Sequence, residues 1–254
     1  MTASTTSRRS GTVGGIIGVA LLLAAWQVGA WLSHPLIIPS PADTWRAFLE
    51  MASSGEILEA LAISGQRAAT GMAVGMLVGT LLGLVGGLIP RMDDVMKPLV
   101  AMVLSTPSMI FVVMAMVWFG MGTGQVVFVV GLMVVPVMYL GTRDSLRSLD
   151  RSLLEMARVF RMPLRVRVRK LYIPGLAVGL LGGLTLSVTT AIRMTIFAEL
   201  LGAQDGVGPA IGLTRSYMET DKLFAWAVVM IVIVVLFEAL AIRPIERRLE
   251  RWRG

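Results

Sequence analysis

Residues 68–89 read AATGMAVGMLVGTLLGLVGGLI, an uninterrupted stretch without a single charged side chain. A run of this length spans the roughly 30 Å hydrocarbon layer of a bilayer as a helix, because a helix is one of the few structures that satisfy their own backbone there. Glycine stands at 71, 75, 79, 83 and 87. One residue in four on one helix face makes a smooth stripe, and in lipid such a stripe predicts a seam where a second helix approaches backbone to backbone. A second stripe, Gly175, Gly179 and Gly183, predicts the same for the run at 174–197.

Outward from this segment, apolar runs recur at 12–32, 98–119, 124–142, 174–197 and 224–242. The expectation is an all-α membrane protein of about six transmembrane helices. Of the 254 residues 56% are apolar and 15% charged, and the polar segments between the runs are too short for a separate soluble domain, so residues 1–254 read as a single membrane domain. The run at 12–32 follows Arg8 and Arg9 but is too long for a signal peptide and shows no small-residue cleavage site, so it reads as a retained helix. Cysteine is absent and His34 is the single histidine. Disulfides, thiolate metal sites and His-dependent triads are thereby nearly all excluded, and no metal or cofactor site is expected in the chain.

The net charge of +7 is unevenly distributed. Between Arg143 and Lys170 nine basic residues face three acids, and the tail from Arg243 has five arginines against two glutamates. The segment from Asp43 to Arg67 and that from Glu199 to Lys222 are each net acidic. The positive-inside rule then places both termini and the basic loop in the cytoplasm, and the arginine excess reports topology rather than nucleic-acid binding.

Within that loop Leu153, Leu154, Ala157 and Phe160 recur at helical spacing, and Pro163 is the expected stop. A short amphipathic helix facing the cytoplasm has two possible partners: the headgroup layer of the bilayer, or another protein. The run Glu155-Met156-Ala157, with Ile173-Pro174 eighteen residues after Glu155, resembles the EAA loop of binding-protein-dependent importer permeases. Ile38-Pro39-Ser40-Pro41 after the first helix, Trp118-Phe119-Gly120-Met121-Gly122 closing the third, Ala198-Glu199-Leu200-Leu201-Gly202-Ala203 after the fifth and the Arg-rich end from Arg243 resemble the nitrate/sulfonate/taurine branch of that family. The resemblance implies a type I ABC importer permease fold that works as a homodimer with cytoplasmic ATPase subunits and a periplasmic solute-binding protein. In it residues 143–173 form the loop whose helix enters a groove of the ATPase, through Leu153, Leu154, Glu155, Ala157, Arg158, Phe160 and Arg161. Family members usually carry Gly where this chain has Arg161. Arginine tolerates a positive φ poorly, so a different exit from the helix is expected.

Phosphate-binding loops of the Walker type need Lys directly after Gly. The three lysines, Lys97, Lys170 and Lys222, follow Met96, Arg169 and Asp221. The chain cannot hold ATP in that way, and ATP belongs to the partner that the resemblance implies. Charged and hydroxyl residues inside apolar runs mark candidate solute-path positions. Thr189, Thr190 and Arg193 lie together in the fifth run, where they could meet an anion, although Arg193 could instead pair with Glu199 or reach the interface. In the third run Pro107 removes a backbone hydrogen bond that the Ser105 and Ser108 hydroxyls can replace, which marks either a break lining a cavity or an ordinary kink. A channel or secondary carrier without an ATPase is the alternative reading, and a membrane enzyme is disfavoured by the scarcity of His, Cys and intramembrane acids.

Overall fold

The computed structural model describes residues 6–34, 36–237 and 239, with the side chains at 6–16, 151, 154, 158 and 178 left aside. The Arg-rich end from Arg243 and the acidic Glu238 therefore lie outside the described residues. Every regular element among those described is helical: α1 Thr6–Leu32, α2 Pro41–Ser53, α3 Glu56–Leu88, α4 Pro90–Ser105, α5 Ser108–Phe119, α6 Thr123–Arg147, α7 Arg151–Val159, α8 Leu164–Arg167, a π-helical turn Val168–Tyr172, α9 Ile173–Gly202, α10 Val207–Ser216 and α11 Thr220–Phe237.

Among the described residues four helices are long and apolar enough to cross a membrane: α3, α6, the Gly179–Gly202 part of α9, and α11. The pair α4 and α5 makes a fifth if it is one broken span, and the apolar part of α1, Ile17–Leu32, is shorter. Two expectations change here. The third apolar run, expected as one helix over 98–119, is two helices bent by 97°. Pro107 has no N–H to continue the ladder and holds Thr106 in extended backbone (φ −81°, ψ 133°), and the Ser105 and Thr106 hydroxyls turn back to the Met102 carbonyl (3.3 and 2.7 Å). Helix α3 begins at Glu56, twelve residues before the apolar run, so Glu59 and Arg67, counted above with the charges before that run, belong to the helix itself.

By contact the chain divides into residues 1–58 with 211–231, and residues 59–210 with 232–254. In the first unit the Trp26 indole donates to the Pro39 carbonyl (3.0 Å) and stacks at a tilt on Phe224. Ser40 caps α2 by accepting the Asp43 N–H, and Pro41 fills the first turn, which explains the Ile38-Pro39-Ser40-Pro41 segment as a helix start.

The second unit is organised around α6. Val126, Val129, Val130, Val134 and Met138 of α6 form a fully packed core with Val112 and Ala115 of α5 and Ala191 and Ala198 of α9. Both glycine stripes lie against α6, except that Gly175 meets Leu149 just beyond its end. A Cβ on Gly75 would stand 2.6 Å from the Gly131 carbonyl, one on Gly79 2.6 Å from the Val135 carbonyl, and one on Gly83 2.7 Å from Thr142. On the α9 side, Gly179 leaves no room between Ser145 and the Gly141 carbonyl, and Gly183 rests on the Met138 sulfur.

Candidate functional site

Helix α6 leads directly into the basic loop. Its C-terminal residue Arg147 is followed by Ser148, whose N–H returns to the Asp144 carbonyl, and Asp150 then caps α7 by accepting the Ser152 N–H (2.8 Å). Leu153, Met156, Val159 and Phe160 are exposed, Phe160 to 73% and Val159 to 79%. Ala157 is turned inward and wholly buried. The outward apolar face thus runs through Leu153, Met156 and Phe160, and Glu155 is exposed beside it. The side chains of Leu154 and Arg158 lie outside the described residues.

Two corrections concern the exit from α7. The helix ends at Val159, and Pro163 instead opens α8. Arg161 adopts the left-handed conformation (φ 48°) that the usual glycine would take, while the Met162 N–H reaches back to the Ala157 carbonyl (3.0 Å). This six-to-one closure is the same turn a glycine would make, so the loop leaves by the ordinary path. The arginine accepts a backbone conformation worth about 1–2 kcal/mol of strain because the surrounding bonds over-determine it.

At the loop end of α6 a carboxylate gathers the neighbouring cations. Asp93, in the first turn of α4, is fully buried. Its Oδ1 accepts from the Tyr139 hydroxyl (2.6 Å) and Arg143 Nη1 (3.3 Å), and its Oδ2 pairs with Arg147 Nη2 (2.7 Å) and Lys97 Nζ (2.9 Å). The Arg143 guanidinium also lies over the Tyr139 ring and bonds Asp144 (2.7 Å). From the sequence, Arg143, Arg147 and Asp144 entered only in a charge count and Lys97 only as a lysine not preceded by glycine; Asp93 and Tyr139 carried no signal.

The opposite end of α6 carries a second buried ion pair. Arg67 of α3 donates to Thr123 Oγ1 (3.0 Å), Glu199 Oε1 (3.0 Å), the Asp205 carbonyl (2.8 Å) and the Asp205 carboxylate. Glu199 is fully buried in α9, and its other oxygen accepts from Ser64 (2.7 Å) and the Gly208 N–H (3.1 Å). Gly206, at φ 102°, stands where a Cβ would strike both Glu199 and Ser64. Beside the knot the Gly122 N–H donates to the Gly202 carbonyl (2.7 Å) and Gln125 donates to the Ala198 carbonyl (3.2 Å). The segments Trp118–Gly122 and Ala198–Ala203 are therefore one structure. Arg193 does not pair with Glu199, which Arg67 already holds. A signal for this was present: Arg67 stands four residues before Gly71, in step with the glycine stripe, and Ala60 and Ser64 continue the same helical face at steps of three and four.

The candidate path residues are less gathered. Arg193 is exposed and makes no ion pair among the described residues; Thr190 is half-buried within a turn of it, and Thr189 bonds the Thr185 carbonyl of its own helix (3.3 Å). Ser105 and Pro107 are exposed at the α4–α5 break, and Ser108 is half-buried. Among the described residues no group of acids and histidines could hold a metal ion.

Residues 75–251 match the family model described as binding-protein-dependent transport system inner membrane component. The chain is 32% identical to the putative aliphatic sulfonates transport permease protein SsuC of Escherichia coli (strain K12), over 91% of this chain and 88% of that one. It is 29% identical to the protein of the same description from Bacillus subtilis (strain 168), over 97% and 90%. Among solved structures it resembles a chain of the inward-facing MetNI methionine ABC transporter, with a TM-score of 0.60 at 21% identity over 76% of this chain and 94% of that one.

Proposed function

This chain belongs to the binding-protein-dependent transport system inner membrane component family, and from that premise we propose that it is one of two identical permease subunits importing a small anion of the aliphatic sulfonate class. It is a multi-pass, membrane-spanning permease subunit of an ATP-driven importer, a transport component and not an enzyme. Two cytoplasmic ATPase subunits seat the helix α7 in their grooves, and a periplasmic binding protein delivers the solute. ATP is held and hydrolysed on the partner subunits. Residues 143–173 act as the coupling loop of a single permease domain, both termini are cytoplasmic, and Arg193 with Thr189 and Thr190 offers a cation and hydroxyl donors to the anion.

The exposed face of α7 carries the reading. Leu153, Met156 and Phe160 project from a capped helix tied at both ends to membrane helices; this apolar face is poorly matched to water, and the basic residues of the loop suit an acidic-rimmed groove around it. The sulfonate class is supported by the descriptions of the relatives and by Arg193, which makes no ion pair among the described residues.

Co-purification with the ATPase tests the coupling. Leu153→Asp and Phe160→Ala should each lose most of the bound ATPase while the permease still inserts, since anchor side chains in a desolvated pocket cost about 2 kcal/mol or more when removed. An unchanged ATPase yield in both would sink the reading. Uptake of a labelled alkanesulfonate should also fall in Arg193→Ala at normal complex yield; normal uptake would remove Arg193 from the path.

A further inference from the structure

Helix α4 has sixteen residues and one fully buried side chain, the carboxylate of Asp93. At its far end the chain bends by 97° at Thr106–Pro107. Within this chain α4 is thus fastened at a polar point in its first turn and carries exposed apolar residues such as Val95, Leu99, Met102 and Leu104 along the rest. That point belongs to α6: Tyr139, Arg143 and Arg147 stand on three successive turns of its last stretch, and α7 begins four residues after Arg147.

We propose that Asp93 is a positioning residue that carries movement of the coupling loop into α4, so that displacement of the loop end of α6 swings α4 about the Thr106–Pro107 break. The proposal rests on the reading of α7 as the ATPase contact. Apolar helix contacts are non-directional and let one helix slide on another. A buried carboxylate that accepts hydrogen bonds at Oδ1 from Tyr139 and Arg143 and is ion-paired at Oδ2 with Arg147 and Lys97 is not so permissive, because the two hydrogen bonds fix angle and distance together and the two cations hold the second oxygen at close range. Lys97, one turn along α4, closes on the same Oδ2 as Arg147 and couples the direction of α4 to that of α6. Gly86 completes the fit, since a Cβ there would press on the Tyr139 ring and hydroxyl at 3.1 and 3.0 Å and displace the phenol from Asp93.

The test compares Asp93→Asn, Tyr139→Phe and Arg147→Gln in the full complex with its ATPase and binding protein. ATPase recovery, basal hydrolysis, binding-protein-stimulated hydrolysis and alkanesulfonate uptake are measured on each. Asp93→Asn should keep the ATPase and its basal hydrolysis but lose stimulation and uptake by about tenfold or more, in the range of an allosteric coupling. Tyr139→Phe, which removes one donor, should lose roughly threefold. Stimulation and uptake near wild-type in Asp93→Asn, or an uptake loss that merely follows complex yield, would overturn the proposal. If Asp93→Asn does not assemble, the other two variants decide, and wild-type stimulation in both overturns it. Failure of the coupling-helix reading looks different: ATPase recovery would then be indifferent to Leu153→Asp and Phe160→Ala whatever the Asp93 variants do.

Discussion

Arg67 and Arg161 show how far one side chain can depart from the expectation its residue type sets. Arg67 sits in a helix that begins before the apolar run and is 4% exposed, yet four acceptors surround its guanidinium. A planar fork can serve Thr123, Glu199 and Asp205 together; an ammonium cannot reach them in the same geometry. Arg67→Ala leaves the Glu199 carboxylate buried without its cation, a change that typically costs 3–5 kcal/mol when a buried pair is broken. We expect a large fall in the thermal stability of the detergent-purified chain, and Arg67→Lys should restore part of it. A melting temperature unchanged in Arg67→Ala would show that the pair is dispensable. Arg161 departs in the other direction, taking the left-handed turn that its side chain disfavours because bonds on either side hold the exit.

Among elements, the seam between α3 and α6 is where substitution should be least tolerated. Gly75, Gly79 and Gly83 leave backbone carbonyls and Cβ atoms of α6 less than a side-chain width away. A leucine at Gly79 would have to displace Val135 and Met138, and overpacking of this kind costs about 1–3 kcal/mol or more. Gly182→Ala is the control, since nothing lies within 4 Å of that position. The expected outcome is loss of monodisperse protein on size-exclusion chromatography for Gly79→Leu and a wild-type profile for Gly182→Ala. Equal profiles would mean that the stripe is not a packing seam. The α4–α5 break is an element-level decision of another kind, because it depends on a single residue without an N–H, Pro107.

For the whole molecule the charge distribution makes a prediction about orientation. Reporter fusions after Arg9, within residues 143–170 and after Arg253 should all report cytoplasm, and fusions near Gly55 and Asp205 should report periplasm. A periplasmic signal from 143–170 would reverse the orientation and detach α7 from any cytoplasmic ATPase. The same arginines that set orientation are put to local use in the folded chain: Arg143 and Arg147 count toward the positive loop and also neutralise Asp93.

The sequence by itself determined the class of the protein, the presence of a helix near Ser152–Phe160 and the faces of two seams. Each of these follows from a period or a length: apolar runs matched to bilayer thickness, glycine every four residues, apolar positions at helical spacing. The tertiary structure decided what those periods leave open. Arg67 and Glu199 are separated by 132 residues, and Asp93 and Arg147 by 54, so nothing local distinguishes these charges from loop or interface charges. Their partners come together because α3, α4 and α9 pack around α6, and a charge becomes a buried node only when that packing removes it from water and supplies its counter-charges. For the same reason the turn at Arg161 was illegible: propensity argued against it, and the bond from Met162 to Ala157 that holds it exists only once the loop has folded.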